Sequence, residues 1–434
     1  MKPHQALIWC QSPGASPTGD QCRVGREHIE AHALRRAERI LLVAPQPFYE
    51  SRGTPIAVLY ILRALSELGY AIDFLTYPMG KTIDIPGVRY VRIANPLRFN
   101  AIPVSFSFRK VFLDIILAAK LAPLIWRNKY LYIHAVEEAA FLVVALRPMH
   151  RAPILYDMAS SLPEQLALKW YFRARPIASL MRRLERWLLS HVDLVVASAG
   201  LRTTALASAN ARVREWQFPA EIPDAEPVQV AALRTRLDIP DDAKVILYTG
   251  TFEAYQGIPQ LVASVPDVLA ENPSSWFVLV GARSEREVSK ILKSVGPPHA
   301  SRVRVLCRQD KEQLPRFYAL ADILVSPRSV GDNIPLKIFD YLATGKPIVA
   351  TDIAAHRAVL TSDIALIVPA SKEGLASGMS KVLSDPILAR RLSAAGKAYA
   401  EARLSWHGFV SFVDEIARLV TRSAPRSDES TRSH

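Results

Sequence analysis

The sequence predicts an α/β protein built from two tandem, doubly wound parallel-sheet domains facing a central cleft. Three observations predict it. The chain has 434 residues, too many for one hydrophobic core and suited to two domains of ordinary size. Short apolar runs alternate with helical stretches, and runs without polar alternation are strands buried on both faces. The series breaks once, at the proline- and acid-rich stretch Phe218 to Asp242, and then restarts,.

Residues 1–38 are polar and carry no apolar segment, so they are expected to be a poorly structured tail rather than a secretory signal,. The first series follows over residues 39–222. Its strands are expected at Arg39–Ala44, Ala71–Tyr77, Val88–Ile93, Tyr130–Ala135, Pro153–Met158 and Leu194–Ala199. The second series occupies residues 223–405, with strands at Lys244–Gly250, Trp276–Gly281, Arg302–Cys307, Asp322–Pro327, Pro347–Asp352 and Ala365–Pro369. Helices between successive strands imply right-handed crossovers and parallel pairing. A last helix is expected over 406–421, and the Ser/Arg-rich residues 422–434 are expected to be disordered,.

The composition is 50% hydrophobic and 22% charged, with a net charge of +13. Between Arg92 and Arg186 there are 15 Lys/Arg and 6 Asp/Glu. That surplus is either a solvated surface or a face for an anionic partner. Nucleic acid is the weakest partner, since no recognition motif accompanies the charge. Two segments favour an anionic membrane surface. Val111–Trp126 is apolar but carries Asp114 and Lys120, and it falls short of the ~18–20 residues needed to span,. Trp170–Leu189 interleaves aromatic and basic residues as interfacial helices do,. The three cysteines, Cys10, Cys22 and Cys307, form no framework, and no Cys/His cluster has metal-ligand spacing,. No metal or cofactor is expected, and a reducing cytoplasm is the default, with attachment to the inner face of the cell membrane.

Open parallel sheets bind ligands beyond the carboxyl ends of their strands. In the second half, Ser326–Asp352 reads as strand, Gly/Asn/Pro loop and a helix starting near Pro335,. Backbone N–H groups there suit an anion, and Arg328 and Lys337 add positive charge. Asp340, just over a turn beyond Pro335, is able to accept hydrogen bonds from vicinal hydroxyls, or is a plain surface acid. In the first half, Gly53 allows a tight loop, Thr54 is a cap and Pro55 sits near a helix start,. His134, Glu137, Glu138, Asp157, Ser160 and Ser161 stand at strand ends, although a lone histidine there is more often structural.

The segment Pro335–Asp352, PLKIFDYLATGKPIVATD, resembles the nucleotide-binding segment of glycosyltransferase family 4 and related retaining GT-B enzymes. The resemblance implies two Rossmann-like domains, with nucleotide in the second. It puts Asp340 at the glutamate that holds the ribose, and Asp332 at the acid that contacts the sugar. The basic pair that clamps the diphosphate in that family falls here at Thr251 and Gln256, so it is missing. Gly257 fits, and Arg328, Lys337, Arg283 or Arg308 are the candidate replacements. Asn333 and Thr251 complete the donor set. Arg52, Gly53 and Thr54 match the loop facing phosphate and acceptor, with Asp157 and Ser160 on the acceptor side. His134 matches the first of two family histidines; the second is Val136, followed by Glu137. Arg403–Val420 resembles the closing helix that returns to the first domain.

The implied activity is sugar transfer with retention, from a nucleoside diphosphate sugar to a lipid-linked or polysaccharide-precursor acceptor. Asp332, His134 and Glu137 are the implied catalytic set. A non-catalytic nucleotide-sugar-binding or scaffold protein, and a sugar-nucleotide epimerase, are the rival readings.

Overall fold

The computed structural model describes residues 38–50, 53–100, 102, 107–160, 175–198, 201, 212–220, 222–331 and 334–422. The two expected tails lie outside these residues apart from Glu38 and Arg422. Two all-parallel sheets are present. The first comprises β1 (Arg39–Ala44), β2 (Ala71–Thr76), β3 (Val88–Arg92), β4 (Ile133–Val136), β5 (Ile154–Met158), β6 (Leu194–Ala197) and β7 (Arg212–Glu215), in the order β3-β2-β1-β4-β5-β6-β7. The second comprises β8 (Lys244–Thr249), β9 (Ser275–Ala282), β10 (Val303–Cys307), β11 (Ile323–Ser326), β12 (Ile348–Thr351) and β13 (Leu366–Val368), in the order β10-β9-β8-β11-β12-β13.

Every expected strand is present; the central ones are apolar runs that only a sheet covered on both faces can bury, while β3 and β10, with arginines between their apolar residues, are half-exposed edge strands,. β7 was not expected. Its sequence RVRE carries no apolar run, and it pairs only with β6 at the sheet edge, where burial is incomplete. Cys307 ends the edge strand β10 half-exposed, with its thiol 3.2 Å from a Glu285 carboxylate oxygen.

The helices bearing on the site are α1 (Gly53–Glu67), α2 (Phe108–Arg127), α3 (Arg175–Ser190), α4 (Lys337–Ala343), α5 (Ala354–Arg357) and α6 (Trp406–Arg422). α1 begins at Gly53, so Gly53 and Thr54 are helical rather than loop and cap. α4 begins at Lys337, two residues after the expected start at Pro335. α2 buries a stripe of Leu113, Leu117, Leu121 and Ile125 against the first sheet, the four-residue spacing of one helix face. No helix among the described residues is long and apolar enough to cross a membrane.

The two sheets are tied together by α6, which packs on α1. Phe409 meets Tyr60, Trp216, Phe218 and Trp406 with ring centres 5.8–6.4 Å apart. The Trp406 indole donates to a Glu67 carboxylate oxygen at 2.7 Å. Across the cleft, the Ile334 amide donates to the Ser198 hydroxyl at 3.1 Å, and the Lys311 ammonium lies 4.5 Å from the Tyr60 ring centre. Phe409→Ala is expected to cost roughly 3–5 kcal/mol, the range for a buried aromatic removed from a packed site. Ile387→Ala, at an exposed position, should stay within about 0.5 kcal/mol. Urea unfolding of the two variants checks the contrast.

Candidate functional site

The strand order of the second sheet reverses between β8 and β11, which opens a crevice at their carboxyl ends,. The loop after β8 crosses it and returns at Gly257. Here φ is +70°, and a Cβ would stand 1.8 Å from the Pro327 carbonyl oxygen. Only glycine permits that approach, and it presses the loop against the end of β11, where Arg328 follows.

Arg328 and Lys337 converge in this crevice. Arg328 is buried, with its guanidinium 5.1 Å from the Tyr255 ring centre and its Nε donating to the Val330 carbonyl at 2.9 Å. The Lys337 ammonium lies 3.9 Å from the Tyr248 ring centre and donates to the Gln256 side-chain carbonyl at 3.4 Å. Gln256 is the position where the resemblance expects a basic residue, so the lysine from α4 reaches the place that the motif leaves without charge. The Thr251 carbonyl accepts from the Tyr248 hydroxyl at 2.7 Å. No carboxylate among the described residues pairs with Lys337. Burial holds its amine well below the usual lysine range, and the Arg328 charge lowers it further. A cation so enclosed is costly until an anion meets it. Arg283 is engaged elsewhere, with Glu253 at 3.3 Å and Glu287 at 3.2 Å.

Asp340 lies one helical turn after Lys337 and makes no side-chain hydrogen bond among the described residues. Burial raises its carboxyl above the usual range, opposed by Lys311. Behind the cations sits His356, fully buried on α5. Its Nε2 lies 2.9 Å from the Ser326 hydroxyl and its Nδ1 2.7 Å from the Thr351 carbonyl. Burial pushes its pKa down to about 4, with Lys337 and Arg328 adding repulsion. Sequence reading missed His356, Tyr248 and Tyr255. Each is an ordinary strand- or helix-compatible residue with no motif around it. Asp332, Asn333, Arg52 and Ser161 lie outside the described residues.

The first sheet reverses between β1 and β4. His134 and Asp157, expected as cleft residues, are instead buried in the layer beneath α6. His134 Nε2 is 3.3 Å from an Asp157 carboxylate oxygen, the Trp216 indole donates to the other oxygen at 2.8 Å, and the imidazole stacks on Trp216. Side chains alternate along a strand, and these two point to the sheet face covered by α1 and α6,. Glu137, immediately after β4, does stand at the crevice edge. Its φ is +51°, a strained value for a non-glycine residue,, and the Ser160 hydroxyl donates to its carboxylate at 3.1 Å.

Two doubly wound sheets, face to face and closed by a returning C-terminal helix, make a GT-B molecule. Solved structures agree. A sucrose-phosphate synthase from Thermosynechococcus elongatus superposes with a TM-score of 0.73 at 20% identity, over 89% of this chain and 100% of that one. Anabaena HepE, solved with UDP and glucose, superposes with a TM-score of 0.67 at 17% identity, over 87% and 99%. The family model for glycosyl transferases group 1 matches residues 230–399, and that for the glycosyl transferase 4-like domain matches 52–221. The chain therefore belongs to the GT-B glycosyltransferase family of the family 4 type. It is 27% identical over 227 residues to a phosphatidyl-myo-inositol mannosyltransferase of Mycobacterium tuberculosis, covering 49% of this chain and 59% of the relative. It is 26% identical over 210 residues to a GDP-mannose-dependent monoacylated alpha-(1-6)-phosphatidylinositol monomannoside mannosyltransferase of Corynebacterium glutamicum, covering 46% and 53%. The matched segments thus span little more than half the length of these curated relatives.

The buried imidazole makes stability depend on pH. The folded pKa of His356 is depressed from 6.5 to about 4, so its contribution is whole above pH 6.5 and is lost as pH falls from there through 4. The loss is on the order of 3 kcal/mol in all. Urea unfolding from pH 7 to pH 4 should show this slope in the wild type and a shallower one in His356→Phe.

Proposed function

We propose that the protein is a glycosyltransferase that moves a sugar from a nucleoside diphosphate sugar to a lipid-linked acceptor, with retention of configuration. The observation that carries the reading is the convergence of Arg328 and Lys337 at the crevice of the second sheet, with no carboxylate among the described residues on Lys337. Two fixed cations there meet a diphosphate with charge-assisted hydrogen bonds. They also stabilise the negative charge that grows on it as the sugar departs. In this reading Asp340 accepts the ribose hydroxyls, and Asp332 faces the sugar as the resemblance implies. Glu137, held by Ser160, receives the acceptor hydroxyl across the cleft. Relatives support this donor class: HepE was solved with UDP-glucose, and the Corynebacterium relative is named for GDP-mannose.

The acceptor is read as lipid-linked because relatives are named for phosphatidylinositol acceptors and because the first domain presents an amphipathic, basic surface. α2 exposes Phe108, Ile115 and Trp126, while α3 exposes Leu180, Leu184 and Trp187. Exposed Arg109, Lys120, Arg127, Arg182, Arg183 and Arg186 lie on the same two helices. Both helices pack on the sheet face opposite α1 and α6. Aromatic groups enter the headgroup region while each basic residue near an anionic leaflet contributes about 1 kcal/mol.

Lys337→Ala and Arg328→Ala should each lower turnover and donor affinity at least about tenfold, the scale of one charged contact to the leaving group. Asp340→Ala should weaken nucleoside diphosphate binding about tenfold with the fold intact. Unchanged turnover in both cation variants rejects the clamp. Sugar transfer should persist in EDTA, since the cations supply the charge. Product analysis without acceptor separates transfer from epimerisation, and a protein that binds donor but never releases sugar is a scaffold. Sedimentation with vesicles should show binding that rises with anionic lipid and falls with salt. Equal binding to neutral and anionic vesicles, or none to either, removes the membrane.

A further inference from the structure

We propose that His356 is a positioning residue for the cationic clamp, acting as a neutral imidazole that orients Thr351 and, through it, the backbone of Arg328. This rests on the reading of Arg328 and Lys337 as diphosphate ligands.

The hydrogen-bond directions follow from the atoms. A carbonyl only accepts, so the 2.7 Å contact to the Thr351 carbonyl requires the proton on Nδ1,. Nε2 then carries a lone pair, and the Ser326 hydroxyl donates to it at 2.9 Å. The ring thus bridges β11 at Ser326 to β12 at Thr351, directly behind the crevice. The Thr351 hydroxyl in turn donates to the Arg328 carbonyl, with the Ser326 carbonyl as a more distant acceptor at 3.4 Å. Gly257 packs against the carbonyl of Pro327, the residue before Arg328. The peptide that aims the guanidinium is therefore bound by Thr351 and confined by the loop, and His356 fixes the threonine.

The ring must stay uncharged to do this. Arg328 at the end of β11 and Lys337 on α4 are the charged groups that act on it, and both oppose its protonation. Asp352, next to Thr351, is tied to Arg357 and supplies no counter-charge to the ring. An imidazolium would lose its bond from Ser326 and set a third positive charge beside the two that bind the anion. A phenylalanine would fill the space but release both strands. An asparagine would keep a donor near Nδ1 and so keep Thr351 in place.

The test is calorimetric titration of full-length protein with UDP and with GDP, and competition measurements with uridine and guanosine. The variants are Arg328→Ala, His356→Phe, His356→Asn, Thr351→Val and the double variant His356→Phe/Thr351→Val. Diphosphate affinity should fall about fivefold in His356→Phe and in Thr351→Val, the scale of one hydrogen bond. The double variant should be no weaker than either single one, because both break the same chain. His356→Asn should restore most of the affinity, and nucleoside affinity should be the same throughout. Wild-type diphosphate affinity in His356→Phe, with Arg328→Ala weakened, overturns the positioning role and leaves the clamp standing. Nucleoside and diphosphate affinities falling together assign His356 to general packing, which also overturns it. If neither diphosphate binds the wild type, or Arg328→Ala binds as well as the wild type, the clamp itself fails and the positioning role falls with it.

Discussion

Both sheets reverse their strand order beside their first strand, and the site depends on that constraint. A strand joined to its parallel neighbour by a right-handed crossover sends its helix to one face; when the order turns, the helix goes to the other. Between the two strands at the turn, no helix covers the carboxyl ends. Those ends are β1 and β4 in the first sheet and β8 and β11 in the second. Glu137 follows β4, the Gly250–Gly257 loop follows β8, and Arg328 follows β11. Residues far apart in the chain meet there because the topology leaves them nowhere else to point.

Charge in the second crevice is organised by exclusion. Arg328 repels Lys337, and around the Lys337 ammonium lie the Tyr248 ring and the Gln256 side-chain carbonyl. Such groups soften a cation without neutralising it. The arrangement keeps the positive potential of Lys337 available to a ligand, at the cost of a depressed lysine and a histidine whose protonation is pushed down to about pH 4. A carboxylate on Lys337 would bind it permanently, as Glu253 and Glu287 bind Arg283.

The first domain divides its apolar residues differently. α2 uses one stripe for the core and exposes a second set of large side chains on the far side. A helix that serves only a core has a polar outer face. Large exposed aromatics beside arginines are instead what a surface of lipid headgroups would cover.

The chain by itself determined the strands, their alternation with helices and the break between two sheets. Those follow from local periodicity, which each run of residues carries alone. The pairing of Arg328 with Lys337 was also legible, because both flank one short loop whose ends a strand and a helix set. β7 was not legible, since the edge of a sheet accepts a charged sequence that no apolar signal marks. His134 and Asp157 read as cleft residues from their place at strand ends. Only the tertiary structure decided that they point inward, because Trp216 and α6, distant in sequence, cover that face. His356 likewise acquires its role from Ser326 and Thr351 on two neighbouring strands. Sequence order determines which face a residue occupies on its own element; what lies against that face is determined by the packing of the others.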